Sequence, residues 1–137
     1  MDLDQKVEEY ERPVSEFYSC SERRVGMNLQ EVCFNLRFRR LTFLPDERFL
    51  SAVAFVDGFN AALDGVPLRG FREWVALRVL GEESNLRWFY TVAAARMPEI
   101  AERNWSLAEI PDEEHSGLID ELADLLEEFI RTRSEGA

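Results

Sequence analysis

The strongest constraint in this sequence is an apolar stripe near its C-terminal end. Large apolar side chains recur there at three- and four-residue spacing, the period of a helix with one buried face. Its members are Leu118, Ile119, Leu122, Leu125, Leu126, Phe129 and Ile130. Pro111 and Asp112 form a helix start signal, and Arg131 and Arg133 suit the negative end of the helix dipole. The sequence therefore predicts an amphipathic helix over residues 112 to 133.

Three more helices are predicted in the middle of the chain. The first follows Asp46 as its cap and spans residues 47 to 63. Its inward side chains are predicted to be Phe49, Ala52, Val53, Val56, Phe59 and Leu63. The second spans residues 70 to 80 and ends at Gly81, with Phe71, Trp74, Val75 and Val79 buried. The third covers residues 85 to 97, a run that is long for a strand and precedes a proline.

Two stretches near the N-terminus are harder to place. Residues 3 to 19 carry apolar side chains on one side and favour a helix, which an internal proline interrupts. Between residues 31 and 44, Phe34, Leu36 and Phe38 alternate with polar residues, which is typical of a half-buried strand. A single strand cannot stand alone, so this stretch pairs with another segment, pairs across a dimer, or is helical.

The expected fold is mainly α. A chain of 137 residues, 46% of them apolar, suits one domain with one core. We predict a single-domain helical bundle of about five helices over residues 1 to 137, with one short strand or hairpin near residues 31 to 44 as the open alternative. The acidic N-terminus and the absence of a long apolar run predict a cytoplasmic protein without a membrane span. The excess of arginine over lysine favours a bacterial source.

The net charge of −11 is concentrated at the two ends of the chain. Residues 1 to 22 carry −5 and residues 99 to 137 carry −9, whereas residues 23 to 98 carry +3. The ends can therefore pack electrostatically over the middle of the chain. Such a negative surface repels phosphate backbones, which argues against nucleic-acid binding, and it attracts a basic protein partner.

The polar face of the C-terminal helix holds the main candidate site. Asp120, Asp124, Glu127 and Glu128 share one face, which we name the acidic ladder. The ladder is solvated, pairs with arginines of the same chain, or binds a basic protein, while a metal site is the least favoured of these interpretations. Glu113 is a further acidic candidate for contact with a partner.

Exposed aromatic side chains are the expected anchors of such a contact, with Trp105 as the main candidate beside Tyr10 and Tyr18. Further along the chain, arginines 37, 39 and 40 alternate with phenylalanines, a pattern that RNA-binding surfaces also use. Pairing of these arginines with the acidic ends is the preferred interpretation.

Nothing in the sequence forms a recognisable catalytic motif. His115 is the only histidine and is expected at the surface or at its boundary. Cys20 and Cys33 lack the partner histidines of a zinc site and are expected to be reduced thiols. The seven glycines never form a phosphate-binding loop. We expect no enzyme activity, no metal and no cofactor.

One pattern suggests a family. Phe-Val-Asp-Gly-Phe-Asn at 55 to 60 is followed by Gly-Phe-Arg-Glu-Trp at 70 to 74 and by Leu-Arg-Trp at 86 to 88. This arrangement resembles small bacterial proteins of polymorphic-toxin neighbourhoods, several of which are immunity proteins. The resemblance implies a non-catalytic inhibitor that neutralises a basic toxin or other basic partner. The alternative expectation is a small regulatory or scaffold subunit that acts as a homodimer.

Overall fold

The computed structural model describes residues 26 to 102 and 106 to 135, and within them the fold is helical. These residues form seven α-helices, and no strand occurs among them. The helices are α1 (Leu29–Phe38), α2 (Arg40–Phe43), α3 (Phe49–Ala62), α4 (Phe71–Leu80), α5 (Trp88–Arg96), α6 (Glu99–Glu102) and α7 (His115–Glu135). The mainly α prediction is confirmed. The predicted helix over residues 3 to 19 lies outside the described residues.

Helix α1 replaces the strand that was the open alternative for residues 31 to 44, so that alternative is wrong. A capping box starts the helix: the Asn28 side chain accepts a hydrogen bond from the Glu31 amide at 2.8 Å, and the Glu31 side chain accepts one from the Asn28 amide. The buried positions follow helical spacing, at Leu29, Val32, Cys33 and Leu36. The local cap and this spacing outweigh the period-two pattern.

Helix α3 confirms the middle helix with three corrections. Asp46 is not its N-cap: Arg48 holds that position, and Asp46 accepts hydrogen bonds from the Arg48 amide at 3.0 Å and the Ser51 hydroxyl at 2.7 Å. Four of the predicted inward side chains are buried, but Leu63 is exposed because it follows the last helical turn. Gly58, which suggested a close neighbour, faces open space.

Helices α4 and α5 match two sequence predictions. Helix α4 buries Phe71 and Val75, whereas Trp74 and Val79, which were also predicted to be buried, are half-buried. Gly81 ends the helix with a φ of 78°, a conformation that favours glycine. The stretch predicted over residues 85 to 97 is helical from Trp88 to Arg96.

Helix α7 is the centre of the bundle and contacts α1, α3, α4 and α5. A short 3₁₀ turn, Asp112–Glu114, precedes it, so the regular helix starts three residues later than predicted. Six residues of the apolar stripe are buried and the seventh, Ile130, is half-buried. The apolar stripe is long enough for several shorter helices to pack against it at once, which explains the central position of α7.

Aromatic packing joins α4, α5 and α7 at one end of the core. The Phe71 ring lies 5.1 Å from that of Phe129, 5.7 Å from Trp88 and 6.0 Å from Trp74, measured between ring centres. Edge-to-face and offset contacts at these distances are favourable. The tryptophans of the 70 to 74 and 86 to 88 patterns therefore have a packing role.

Candidate interaction surfaces

Every carboxylate of the acidic ladder bonds an arginine of the same chain. Arg37 on α1 bonds Asp124, and its Nε and Nη2 donate to the two oxygens of Glu127 at 2.9 and 3.0 Å. Arg40 on α2 donates to Asp120 at 2.7 Å, and Arg78 on α4 donates to Glu128 at 2.7 Å. The ladder therefore connects α7 to three neighbouring helices.

These ion pairs change the electrostatics of the ladder. Hydrogen bonding by Glu127, and then by Asp124, raises the pKa of Arg37, and Glu128 raises the pKa of Arg78. Three arginines cancel most of the ladder's charge, although Asp120 and Asp124 keep more than half of their side-chain area exposed. The preferred pairing of arginines with the acidic ends is confirmed for Arg37 and Arg40. Arg39 forms no ion pair with a described residue, and its guanidinium lies over the Phe34 ring at 5.7 Å.

The structure separates the remaining candidate residues from the ladder. Glu113 lies exposed in the 3₁₀ turn before α7 and forms no ion pair with a described residue. Trp105, Tyr10 and Tyr18 lie outside the described residues. The structure therefore brings together Asp120, Asp124, Glu127 and Glu128, and it leaves Glu113 apart from them.

His115 is buried, so its predicted surface position is wrong. Its Nδ1 accepts a hydrogen bond from the backbone amide of Phe49 at 2.9 Å. The neutral ring then carries its proton on Nε2, which has no hydrogen-bond partner among the described atoms. The imidazole joins the first turn of α7 to the first turn of α3, and its occupied Nδ1 is not a free base.

Cys33 is a buried free thiol, as expected, whereas Cys20 lies outside the described residues. Burial first, and then the charge of Glu127, raises the pKa of the Cys33 thiol to about 12. A thiol that stays protonated and covered is a poor nucleophile. Cys33 therefore has a packing role in the core.

The apolar surface of helices α1 to α3 is the feature that sequence reasoning missed. Five large apolar side chains on these consecutive helices are exposed, and we call them the apolar surface. They are Phe34, Phe38, Leu41, Phe43 and Leu50. Phe38 keeps 70% of its area exposed and Leu41 keeps 62%. The Phe34 and Phe38 rings lie 5.1 Å apart, so they form one aromatic pair at the end of α1.

The strand pattern hid this surface. It placed Phe34, Leu36 and Phe38 on one inward face, whereas the helix turns Leu36 inward and both phenylalanines outward. The signal that identifies the correct faces is the three- and four-residue spacing of Leu29, Val32, Cys33 and Leu36.

An acid-rimmed groove of about 580 Å³ lies between α4, α5 and α6. Its apolar lining consists of Val79, Leu80, Leu86, Ala94, Ala95, Pro98 and Ala101. Glu82, Glu83 and Glu102 are exposed at its edge, and no described lining residue is cationic. Ser84 also lines the groove, which combines this apolar lining, called its floor below, with the three carboxylates, called its rim.

Two features are absent from the described residues. No group of three metal-ligating side chains occurs among residues 26 to 102 and 106 to 135. In the same part of the chain, no helix has both the length and the apolar character needed to cross a bilayer.

Comparison with known proteins gives no relative. No protein family model, curated protein or solved structure matches the chain.

Proposed function

We propose that this chain is a non-catalytic protein-binding protein whose partner docks on the apolar surface. The observation that carries the proposal is the exposure of five large apolar side chains on three consecutive helices. Exposed apolar residues that occur singly need no explanation, but neighbouring ones are typical of interaction sites. Here the Phe34 and Phe38 rings are in contact, and Phe38 and Leu41 line the same cleft. Phenylalanine is enriched at the centre of protein interfaces.

The surroundings of the apolar surface support the same proposal. Arg39 lies over the Phe34 ring and has no ion pair with a described residue, so it is available to a partner. Arginine beside aromatic rings is a frequent interface combination. Arg37 and Arg40, by contrast, are held by the ladder, which fixes the helices that carry the apolar surface.

The sequence resemblance favours one form of this function, an immunity-type inhibitor of a basic toxin or other basic partner. The net charge of −11 supports it, because it accelerates association with a positively charged protein. The buried, protonated Cys33 and the hydrogen-bonded His115 support a non-catalytic role.

The test is a comparison of partner capture by three proteins. The double variant F38D/L41D places two charges in the apolar surface, and L77D places one at a separate exposed leucine of α4. All three are tagged and incubated with extract of the source organism, and bound proteins are quantified by mass spectrometry. We expect one basic protein to co-purify in stoichiometric amount with the native chain and L77D, but not with F38D/L41D. Equal capture by all three folded proteins would refute the proposal.

A second candidate function is a regulatory or scaffold subunit that forms a homodimer through the same apolar surface. The exposure of Phe38 and Leu41 favours it equally, because a second copy would cover them. The lone strand that a dimer could have completed is a helix, so only the helical contact remains. Light scattering over a dilution series distinguishes the two functions: a dimer that F38D/L41D dissociates supports the scaffold.

A further inference from the structure

We infer that the acid-rimmed groove is a second docking site, and that it takes an amphipathic segment carrying a large apolar side chain beside lysine or arginine. The groove lies on α4, α5 and α6, whereas the apolar surface lies on α1 to α3. The inference rests on the proposed function, since it assigns the basic part of the partner to its own binding site.

The floor of the groove explains why the docking segment should carry a large apolar side chain. Ala94, Ala95 and Ala101 are small, and they leave space beside the larger side chains of Val79, Leu80 and Leu86. Concave apolar sites with a volume of some hundreds of Å³ are filled by a projecting side chain or a small ligand. A leucine or methionine from an incoming helix has the size and chemistry for this floor.

The carboxylates at the rim of the groove explain why the incoming segment should be positively charged. Glu82 and Glu83 follow α4 directly and Glu102 ends α6, so they flank the floor from two sides. None of the three forms an ion pair with a described residue, in contrast to the ladder carboxylates. Their charge is therefore available to a partner.

The direct test uses a labelled synthetic peptide. The probe has about 14 residues, with leucine and lysine placed so that one helical face is apolar and the other basic. A peptide with glutamate in place of lysine is the negative control. Fluorescence anisotropy at low and high salt measures binding to the native full-length chain. We expect saturable binding of the lysine peptide that weakens with salt, and no binding of the glutamate peptide.

Matched variants locate the site. E82Q/E83Q/E102Q removes the rim charge and should weaken binding by about tenfold, since each exposed ion pair contributes little and three add up. D64N/E109Q/D112N removes equal charge elsewhere and should leave the affinity unchanged. A95F fills the groove without altering charge and should also weaken binding, whereas A61F, at an exposed alanine of α3, should not. Circular dichroism confirms that each variant is folded.

Several outcomes would overturn the inference. Equal weakening by both charge variants shows non-specific attraction, and unchanged affinity in A95F shows that the floor is not used. A dimer that A95F dissociates identifies a second copy as the occupant. F38D/L41D separates this result from the proposed function: it should still bind the peptide, even if partner capture through the apolar surface fails.

Discussion

The backbone amide of Phe49 donates a hydrogen bond to Nδ1 of His115 at 2.9 Å, joining two helix starts that lie 66 residues apart in the chain. Both residues are buried. An amide in such a place without an acceptor costs free energy, and no backbone carbonyl is available at the first turn of a helix. The only histidine of the sequence thus satisfies a backbone donor.

The first prediction concerns this hydrogen bond. His115→Leu fills the buried site with an apolar side chain but leaves the Phe49 amide without an acceptor, so the free energy of unfolding should fall by about 1 to 3 kcal/mol. His115→Asn retains an acceptor near the position of Nδ1 and should lose less. Urea denaturation of both variants measures the difference. A larger loss in the asparagine variant would mean that ring volume, and not the acceptor, is what matters.

The second prediction concerns the acidic ladder. Arg37 bonds two carboxylates, so Arg37→Met should lower the free energy of unfolding more than Arg78→Met, whose arginine bonds only one. A double-mutant cycle of Arg78 with Glu128 should give a coupling of about 0.2 to 1 kcal/mol, the range of exposed ion pairs. The coupling should shrink in high salt. No coupling for Arg37 with Glu127 would show that the ladder does not hold α1 against α7.

The ladder also offers a comparison with partner binding. Replacing Asp120, Asp124, Glu127 and Glu128 by their amides should lower thermal stability, because each carboxylate bonds an arginine of the same chain. We expect capture of the proposed partner to change less than stability does. Loss of capture with unchanged stability would show that the ladder binds the partner and does not stabilise the fold.

The third prediction compares two glycines in helices. Gly58 in α3 has open space around it, so Gly58→Ala should stabilise the fold by about 1 kcal/mol through helix propensity. A Cβ at Gly117 in α7 would lie 2.6 Å from the Arg96 guanidinium, which must move and release its ion pair with Glu114. Gly117→Ala should therefore gain less. Thermal unfolding of the two variants provides the measurement, and a larger gain at Gly117 would contradict it.

The fourth prediction concerns Cys33 at alkaline pH. Its pKa is about 12 in the folded chain against an ordinary value of 9.0, so the folded state holds the thiol proton more tightly. This contribution to stability is complete below pH 9 and is lost as the pH rises towards 12, at about 1.4 kcal/mol per pH unit. Urea denaturation at a series of pH values should show this decrease in the native chain. The variant Cys33→Ala should lack that component, although it will be less stable at every pH.

The sequence alone determined the helices whose signals are local. The spacing of Leu118, Leu122 and Leu126 predicted α7, and Gly81 predicted the end of α4, because periodicity and backbone preference act within a few residues. It also identified the ladder face, and it predicted that Arg37, Arg39 and Arg40 pair with the acidic ends, but it did not identify Arg78 as a partner of the ladder. These features depend on helix geometry and charge alone.

Only the tertiary structure decided which faces are covered. The alternation at Phe34, Leu36 and Phe38 suited a strand. The structure shows a helix instead, with a cap at Asn28, buried Leu29 and Leu36, and contacts between α1 and α7. Whether a side chain is buried depends on which residues pack against it, and these residues come from distant parts of the sequence. For the same reason, the burial of His115, the apolar surface and the acid-rimmed groove emerged only when the helices were assembled.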